Sequence, residues 1–381
     1  MRIVWVSAHY NDIIGYSKVA YEILKRMAKV PGFEVFHFGW REHPTFRREP
    51  IKGVSCFTGS TQNPKDWNGT CGWGEDKLPK YLSVVKPDLV IFYEEARLIR
   101  QLYNVCIPKT RKYQVWVYLD QLYKGNNLHG MESVDRFLIF AEQWRMPVDI
   151  PQTVLLHAPS DSIKKLDDAT IKDFRGTLTI PEGEKIYLSI NRNSDRKRHD
   201  LLIQGWVKYK ADGGDGFLVI VTRMEGYYNW NVLLSIENAP MDSIRLVDAT
   251  NLSDETINKF INVADYGVNT SSGEGFGLMA LEMSYLGKPQ VALDIGAYRS
   301  WLDDETAVLL KPTQRIHMNY NDGGGAFCET TTPEAVALGL RLVQTKRSPK
   351  VDFTWDDVVK DTFDIIKKLP TSDMYVLKEH K

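Results

Sequence analysis

Arg2 to Ala8, RIVWVSA, opens the chain as an apolar run with the length of a buried strand. A polar loop, HYNDIIGYS, follows, and from Ser17 to Ala28 the apolar residues Val19, Ile23, Leu24 and Met27 recur at helical spacing. Further short apolar runs, FEVFHFGW, VSCF, DLVIFYEE, YQVWVYLD and RFLIFAE, alternate with helical patterns over 78–85 and 96–105. Strands that alternate with helices predict a parallel sheet covered on both faces.

The pattern then restarts. A polar stretch over 160–185, containing Pro181 and Gly183, predicts a linker. After it come KIYLSI, a helix over 199–209, FLVIVT, IRLVD, a helix over 254–263, DYGVNT, QVALDIG, a helix over 334–345 and a last helix in DFTWDDVVKDTFDIIKKL. A second doubly wound sheet is the consequence. With 381 residues the chain exceeds one ordinary core. The expected division is 1–175 for an N-terminal Rossmann-like domain, 176–350 for a C-terminal one, and 351–381 for a terminal helix that packs back on the first.

Composition removes several function classes. The 48 basic and 49 acidic residues leave a net charge of −1, so no global field draws the chain to nucleic acid. Cys56, Cys71, Cys106 and Cys328 have no metal or redox spacing, which suits thiols in a reducing compartment. The N-terminus lacks a secretory pattern, and no run of about 18 apolar residues occurs, so a cytoplasmic protein without a transmembrane segment is expected. His129 and His157 have no metal-partner spacing and are expected to be structural.

Chemistry concentrates in SSGEGFGLMALEMSYLGKP, from Ser271 to Pro289. It follows the strand-like DYGVNT and becomes helical from about Phe276, with Gly287-Lys288-Pro289 as the stop signal. A strand, a glycine turn and a helix start leave backbone N–H groups near Gly275 to Leu278 for an anion. Glu274 stands inside that turn; a carboxylate only accepts hydrogen bonds, so hydroxyl groups suit it. Glu282 follows in the helix, at most about 12 Å away at about 1.5 Å per residue. The three glycines fail the G-x-G-x-x-G dinucleotide pattern, because the last would fall at Leu278. In the other loop, NRNSDRKRHD after KIYLSI, Arg192, Arg196, Lys197 and Arg198 cluster at a strand end and read as a diphosphate clamp.

These features together resemble the retaining family-4 glycosyltransferases of GT-B architecture, and among them the enzymes of large algal DNA viruses. Glu274 to Glu282 match that family's E-x7-E, EGFGLxxLE, and Arg192 with Lys197 match its arginine and lysine after a strand. The resemblance implies an α/β GT-B fold, two Rossmann-like domains facing a cleft. It implies that Glu274 holds donor-sugar hydroxyls, the Gly275, Phe276, Gly277 and Leu278 amides surround sugar and phosphates, and Glu282 binds the ribose. Arg192 and Lys197 would neutralise the diphosphate, Val247 would touch the base through its backbone with Asp248 beside it, and Gly15 would lie near the donor phosphate and acceptor, ahead of Tyr21 and Leu24. Two departures stand out: IIGYS has one glycine where the family has two or three, and YLDQ, centred on Asp120, replaces a strand-end histidine.

The implied reaction moves a hexose from a nucleotide diphosphate sugar to a hydroxyl with retention of configuration. GDP-mannose is favoured over a UDP-hexose, and the acceptor is a glycan, glycoprotein or glycolipid, with peripheral membrane contact compatible. No cofactor or metal is required in this reading, since Arg192, Lys197 and helix-start amides stabilise the leaving diphosphate. Asp12 and Asp120 are placed near the acceptor. A noncatalytic nucleotide-sugar-binding protein and a GT-B sugar-nucleotide epimerase are the alternatives.

Overall fold

In the computed structural model the described residues are 1–67, 69–120, 128, 130–250, 252–318 and 326–371; His129 lies outside them. They divide into two compact units. Met1–Ser160 forms one together with the described residues from Phe353, and Asp161–Asp352 forms the other.

The first unit contains β1 (Arg2–Ala8), α1 (Gly15–Met27), β2 (Glu34–Trp40), β3 (Val54–Thr58), α2 (Leu78–Val85), β4 (Leu89–Glu95), α3 (Ala96–Cys106), β5 (Gln114–Asp120), β6 (Arg136–Ile139) and β7 (Gln152–Val154). All seven strands run parallel in the order β3-β2-β1-β4-β5-β6-β7. Leu89, Val90, Ile91 and Phe92 are all fully buried, as consecutive residues must be when both faces of a strand are covered. The last helix, Trp355–Lys367, belongs to this unit and packs on α1. Trp355 is buried beside His157, and Arg26 Nε lies 3.2 Å from Asp356. His157 sits among the rings of Tyr93, Tyr118 and Phe140, and burial lowers its pKa to about 3, so it is neutral.

The second unit contains α4 (Asp168–Thr177), β8 (Ile186–Ile190), α5 (His199–Ala211), β9 (Phe217–Thr222), α6 (Trp230–Ile236), β10 (Ile244–Asp248), α7 (Asp254–Val263), β11 (Tyr266–Asn269), α8 (Leu278–Tyr285), β12 (Gln290–Leu293), β13 (Ala307–Leu310), the antiparallel pair β14 (Gln314–Met318) and β15 (Ala326–Thr330), and α9 (Pro333–Leu342). Its six-stranded parallel sheet has the order β10-β9-β8-β11-β12-β13. Alternation sorts the side chains: Tyr187, Leu218 and Ile220 join α5 and α9 on one face, while Ile186, Leu188, Val219 and Val221 join α7 on the other.

The stretch 160–185 is not the linker its polarity suggests. Ile163, Leu178 and Ile180 enter the core, α4 packs on α7, and Asn258 and Asn262 accept hydrogen bonds from the Lys164 and Leu166 amides at 3.1 and 2.9 Å. In each sheet the strand order reverses once, between β1 and β4 and between β8 and β11, and ligands of such sheets bind outside the strand ends at those points.

Candidate functional site

At the reversal in the second sheet two loops meet: residues 191–198 after β8, and 270–277 after β11. Backbone and hydroxyl hydrogen bonds stitch them together. The Ser272 amide donates to the Arg196 carbonyl at 2.8 Å, the Ser271 hydroxyl reaches the same carbonyl at 3.2 Å, and the Thr270 hydroxyl donates to the Arg198 carbonyl at 3.0 Å. The first loop is held from behind, where Asn193 bonds the Tyr228 carbonyl at 3.0 Å and amide at 2.9 Å.

This stitching brings Lys197 to Glu274. Lys197 Nζ donates to Glu274 Oε2, and the Arg196 guanidinium stands 3.8 Å from the same oxygen while it donates to the Gly273 carbonyl. Burial lowers Lys197 to a pKa of about 8, an effect that Glu274 opposes and that Arg196 and Arg192 reinforce. For Glu274 burial works against ionisation, but Lys197 and Arg196 outweigh it and hold the carboxyl below the usual range. Both groups are therefore charged at neutral pH.

The Glu274 turn ends at Gly277, whose φ of +90° favours glycine; a Cβ there would lie 2.5 Å from Tyr298 Cε1. Helix α8 then starts at Leu278, with no acidic residue in its first turn. Its first intrahelical hydrogen bond runs from the Leu281 amide to the Gly277 carbonyl at 3.0 Å, so the preceding helix-start amides have no acceptor within the helix. Phe276 stacks on Trp301 with ring centres 4.5 Å apart. Glu282 is fully buried in α8, about one turn in.

Arg192 is exposed at the other end of its loop, and its carbonyl interacts with His199 Nε2 at 3.1 Å. Arg196, not Arg192, is the arginine beside Glu274. Arg198 is held by Asp200, with contacts of 2.9 to 3.2 Å, and by Thr330 at 2.8 Å. Val247 is half-buried at the end of β10; Asp248 next to it is exposed and accepts from the Thr250 hydroxyl and amide at 2.7 and 3.1 Å, a strand-end turn.

Gly15 and Asp120 belong to the first unit, where Gly15 is the exposed first residue of α1 and Tyr16 donates to Asp120. Asp12 accepts from the Ile13 amide at 2.7 Å and Gln62 at 2.9 Å. Sequence patterns missed Glu94 here. It is buried at the end of β4, and burial, reinforced by the charges of Glu95 and Asp120, raises its pKa well above the carboxylate range. Among the described residues no group of three or more His, Cys, Asp or Glu could hold a metal ion, and no helix is long and apolar enough to cross a membrane.

Residues 170–319, which include both stitched loops, match the family Glycosyl transferases group 1. A D-inositol 3-phosphate glycosyltransferase of Jonesia denitrificans is 27% identical over 113 residues, 30% of this chain and 25% of that protein. The chain thus aligns with about a quarter of the length of this relative. Sucrose-phosphate synthase of Thermosynechococcus elongatus superposes with a TM-score of 0.68 at 16% identity, over 97% of this chain and 98% of that one. Anabaena HepE, crystallised with UDP and glucose, gives 0.66 at 12% identity over 97% and 100%. Residues 170–319 are thus similar to glycosyl transferases group 1, within a chain whose two parallel-sheet, Rossmann-like units share the fold of the sucrose-phosphate synthase and HepE structures.

Proposed function

We propose that the protein transfers a hexose from a nucleotide diphosphate sugar to a hydroxyl acceptor, with retention of configuration and without a required metal. The observation that carries this reading is Lys197 and Arg196 converging on Glu274 at the start of α8. Phosphate oxygens suit the cations and helix-start amides; sugar hydroxyls suit the carboxylate. As the glycosidic bond breaks, charge grows on the leaving diphosphate, and groups already fixed in place stabilise it more than they stabilise the ground state. Lys197, Arg196 and the exposed Arg192 supply the positive charge a divalent ion would otherwise bring.

Glu274 is assigned to the donor sugar, the Gly275 to Leu278 backbone to sugar and phosphates, Glu282 to the ribose, and Val247 with Asp248 to the base. Gly15 and Asp120 are assigned to the acceptor end, together with Asp12. The acceptor class is a glycan, glycoprotein or glycolipid, and the setting cytoplasmic, with peripheral membrane contact compatible. The NRNSDRKRHD and LVDATNLSDE segments support GDP-mannose as donor and the likeness to algal-virus family-4 enzymes. A UDP-hexose is the second reading, favoured by the UDP and glucose in the HepE crystal.

Calorimetric titration with GDP, UDP, ADP and NAD tests the reading, repeated on the double variant Arg192→Ala, Lys197→Ala. Binding of GDP or UDP that the double variant loses is expected, and the base that binds names the donor. A wild-type protein that binds none of the four overturns it.

A further inference from the structure

The loop between β12 and β13 covers the Glu274 turn. Gly296 in that loop has φ +61°, and a Cβ there would collide with the Glu274 backbone oxygen. Arg299 pins the loop, bonding Asp294 at 2.7 and 3.0 Å and Asp304 at 2.9 Å. The ring of Tyr298 fills the space left by the missing side chain of Gly277, and its hydroxyl would stand 3.2 Å from a Cβ there. Tyr298 is 1% exposed, and among the described residues its hydroxyl has no hydrogen-bond partner.

A buried hydroxyl without a partner forfeits the hydrogen bonds that water would give it, so its retention at this place needs a use. Its charged neighbours are Glu274, whose negative charge adds to burial in opposing ionisation of the phenol, and Arg196, which acts the other way. Lys197 donates to Glu274. A diphosphate competes for Lys197: the ammonium that turns to phosphate oxygens takes the closest donor from a carboxylate that keeps Ser271 and the more distant Arg196.

We propose that Tyr298 is a positioning residue that takes over Glu274 when the donor binds. Lys197 transfers its hydrogen bond to the diphosphate, and the Tyr298 hydroxyl donates to the vacated carboxylate, fixing it for the donor-sugar hydroxyls. No proton changes owner and no covalent bond forms. The inference rests on the proposed function, since it needs a ligand that carries both a diphosphate and a sugar.

Tyr298→Phe removes one oxygen that has no hydrogen-bond partner among the described residues, so the variant is expected to fold with an unchanged or higher Tm. Titration of wild type and variant with UDP and UDP-glucose, and with GDP and GDP-mannose, separates the two halves of the ligand. The nucleoside diphosphate is expected to bind both proteins alike. The extra affinity given by the sugar is expected to fall about 5- to 10-fold in the variant, and slow donor hydrolysis to fall in kcat/KM, while its inhibition by the free nucleoside diphosphate is unchanged. Equal sugar increments and equal kcat/KM in the two proteins overturn the inference alone. A lowered Tm with UDP and UDP-glucose weakened together would mean a purely structural hydroxyl and would also overturn it. Wild-type protein that binds none of these four ligands overturns the function and, with it, this role of Tyr298.

Discussion

Lys197 gives the site a pH dependence that its neighbours determine. Burial depresses its pKa to about 8, and the charged groups that face it are Glu274 on the opposite turn and Arg196 and Arg192 on its own loop. A sugar nucleotide keeps both phosphate charges across the neutral and alkaline range, so where diphosphate meets lysine the titrating group is the lysine, and Lys197→Ala reports whatever slope ionisation of the base adds. The ligand-bound state favours the ammonium, and binding above pH 8 therefore takes up a proton. With a pKa of about 8, roughly 90% of Lys197 is charged at pH 7 and about 3% at pH 9.5, so affinity is expected to fall about 30-fold, about 2 kcal/mol, between them. The fall flattens once pH exceeds the raised pKa of the complex. Folding stability moves in the opposite sense, because the folded pKa lies below the unfolded one; this group's contribution rises with pH from about 8 to about 10.5. Calorimetry with UDP-glucose or GDP-mannose from pH 7 to 9.5 reads the first effect. Lys197→Ala should bind weakly at pH 7 and show no slope between pH 7 and 8.5, where the base does not ionise. A wild-type affinity that stays flat over this range, or a slope between pH 7 and 8.5 that survives in Lys197→Ala, would falsify the lysine's role.

The remaining perturbations separate catalysis, binding and folding. Glu274→Gln should lower kcat tenfold or more with nucleoside diphosphate affinity at neutral pH nearly unchanged, while Glu282→Gln mainly weakens binding; equal loss of nucleotide affinity in both would contradict this division. Because Glu274 supports the charge on Lys197, the same Glu274→Gln variant should shift the midpoint of the binding pH profile downward, which the titration series above reads directly. Gly277→Ala places a Cβ at φ +90° against Tyr298, and a loss of about 1–3 kcal/mol or more is expected in denaturant unfolding; unchanged stability would show that the turn can relax. Thr354→Ala removes the capping box of the Trp355–Lys367 helix at an expected cost of about 1 kcal/mol, read as a lower denaturation midpoint of the first unit.

How far the sequence reveals this molecule depends on whether a feature is carried by contiguous residues. Strands such as RIVWVSA and DLVIFYEE announce themselves because covering both faces demands an unbroken apolar run, and α2, α3 and α7 show in the helical period of their own residues. The elements that escape are short or weakly patterned: β7 has three half-buried residues, α4 has no fully buried one, and the pair β14 and β15 lies outside the main sheet. Their positions are set by tertiary anchors, as Asn258 and Asn262 show for the segment leading into α4.

The same logic explains the site. Glu274 and Lys197 are legible because each sits in a loop that follows a strand, and adjacent parallel strands must bring such loops to one edge. Which arginine faces Glu274 is not legible, since an equal charge at 192 or 196 satisfies any spacing argument; the short 3-10 turn at Asp195–Lys197 and the hydrogen bonds to Ser271 and Ser272 make it Arg196. Tyr298 is further hidden, 24 residues from Glu274 in a loop with no motif. The only sequence trace of its contact is indirect: Gly277, beyond its place in the turn, has to leave room for a ring that comes from the next strand connection. Glu94 shows the converse in the first unit. A glutamate at the end of an apolar strand reads as the point where water begins, yet Glu95 is the exposed one and Glu94 is buried, raised above the carboxylate range by that burial and by the charges of Glu95 and Asp120. Burial, not residue type, makes this carboxyl harder to ionise, and burial at a strand end is set by what packs over it rather than by the strand's own residues.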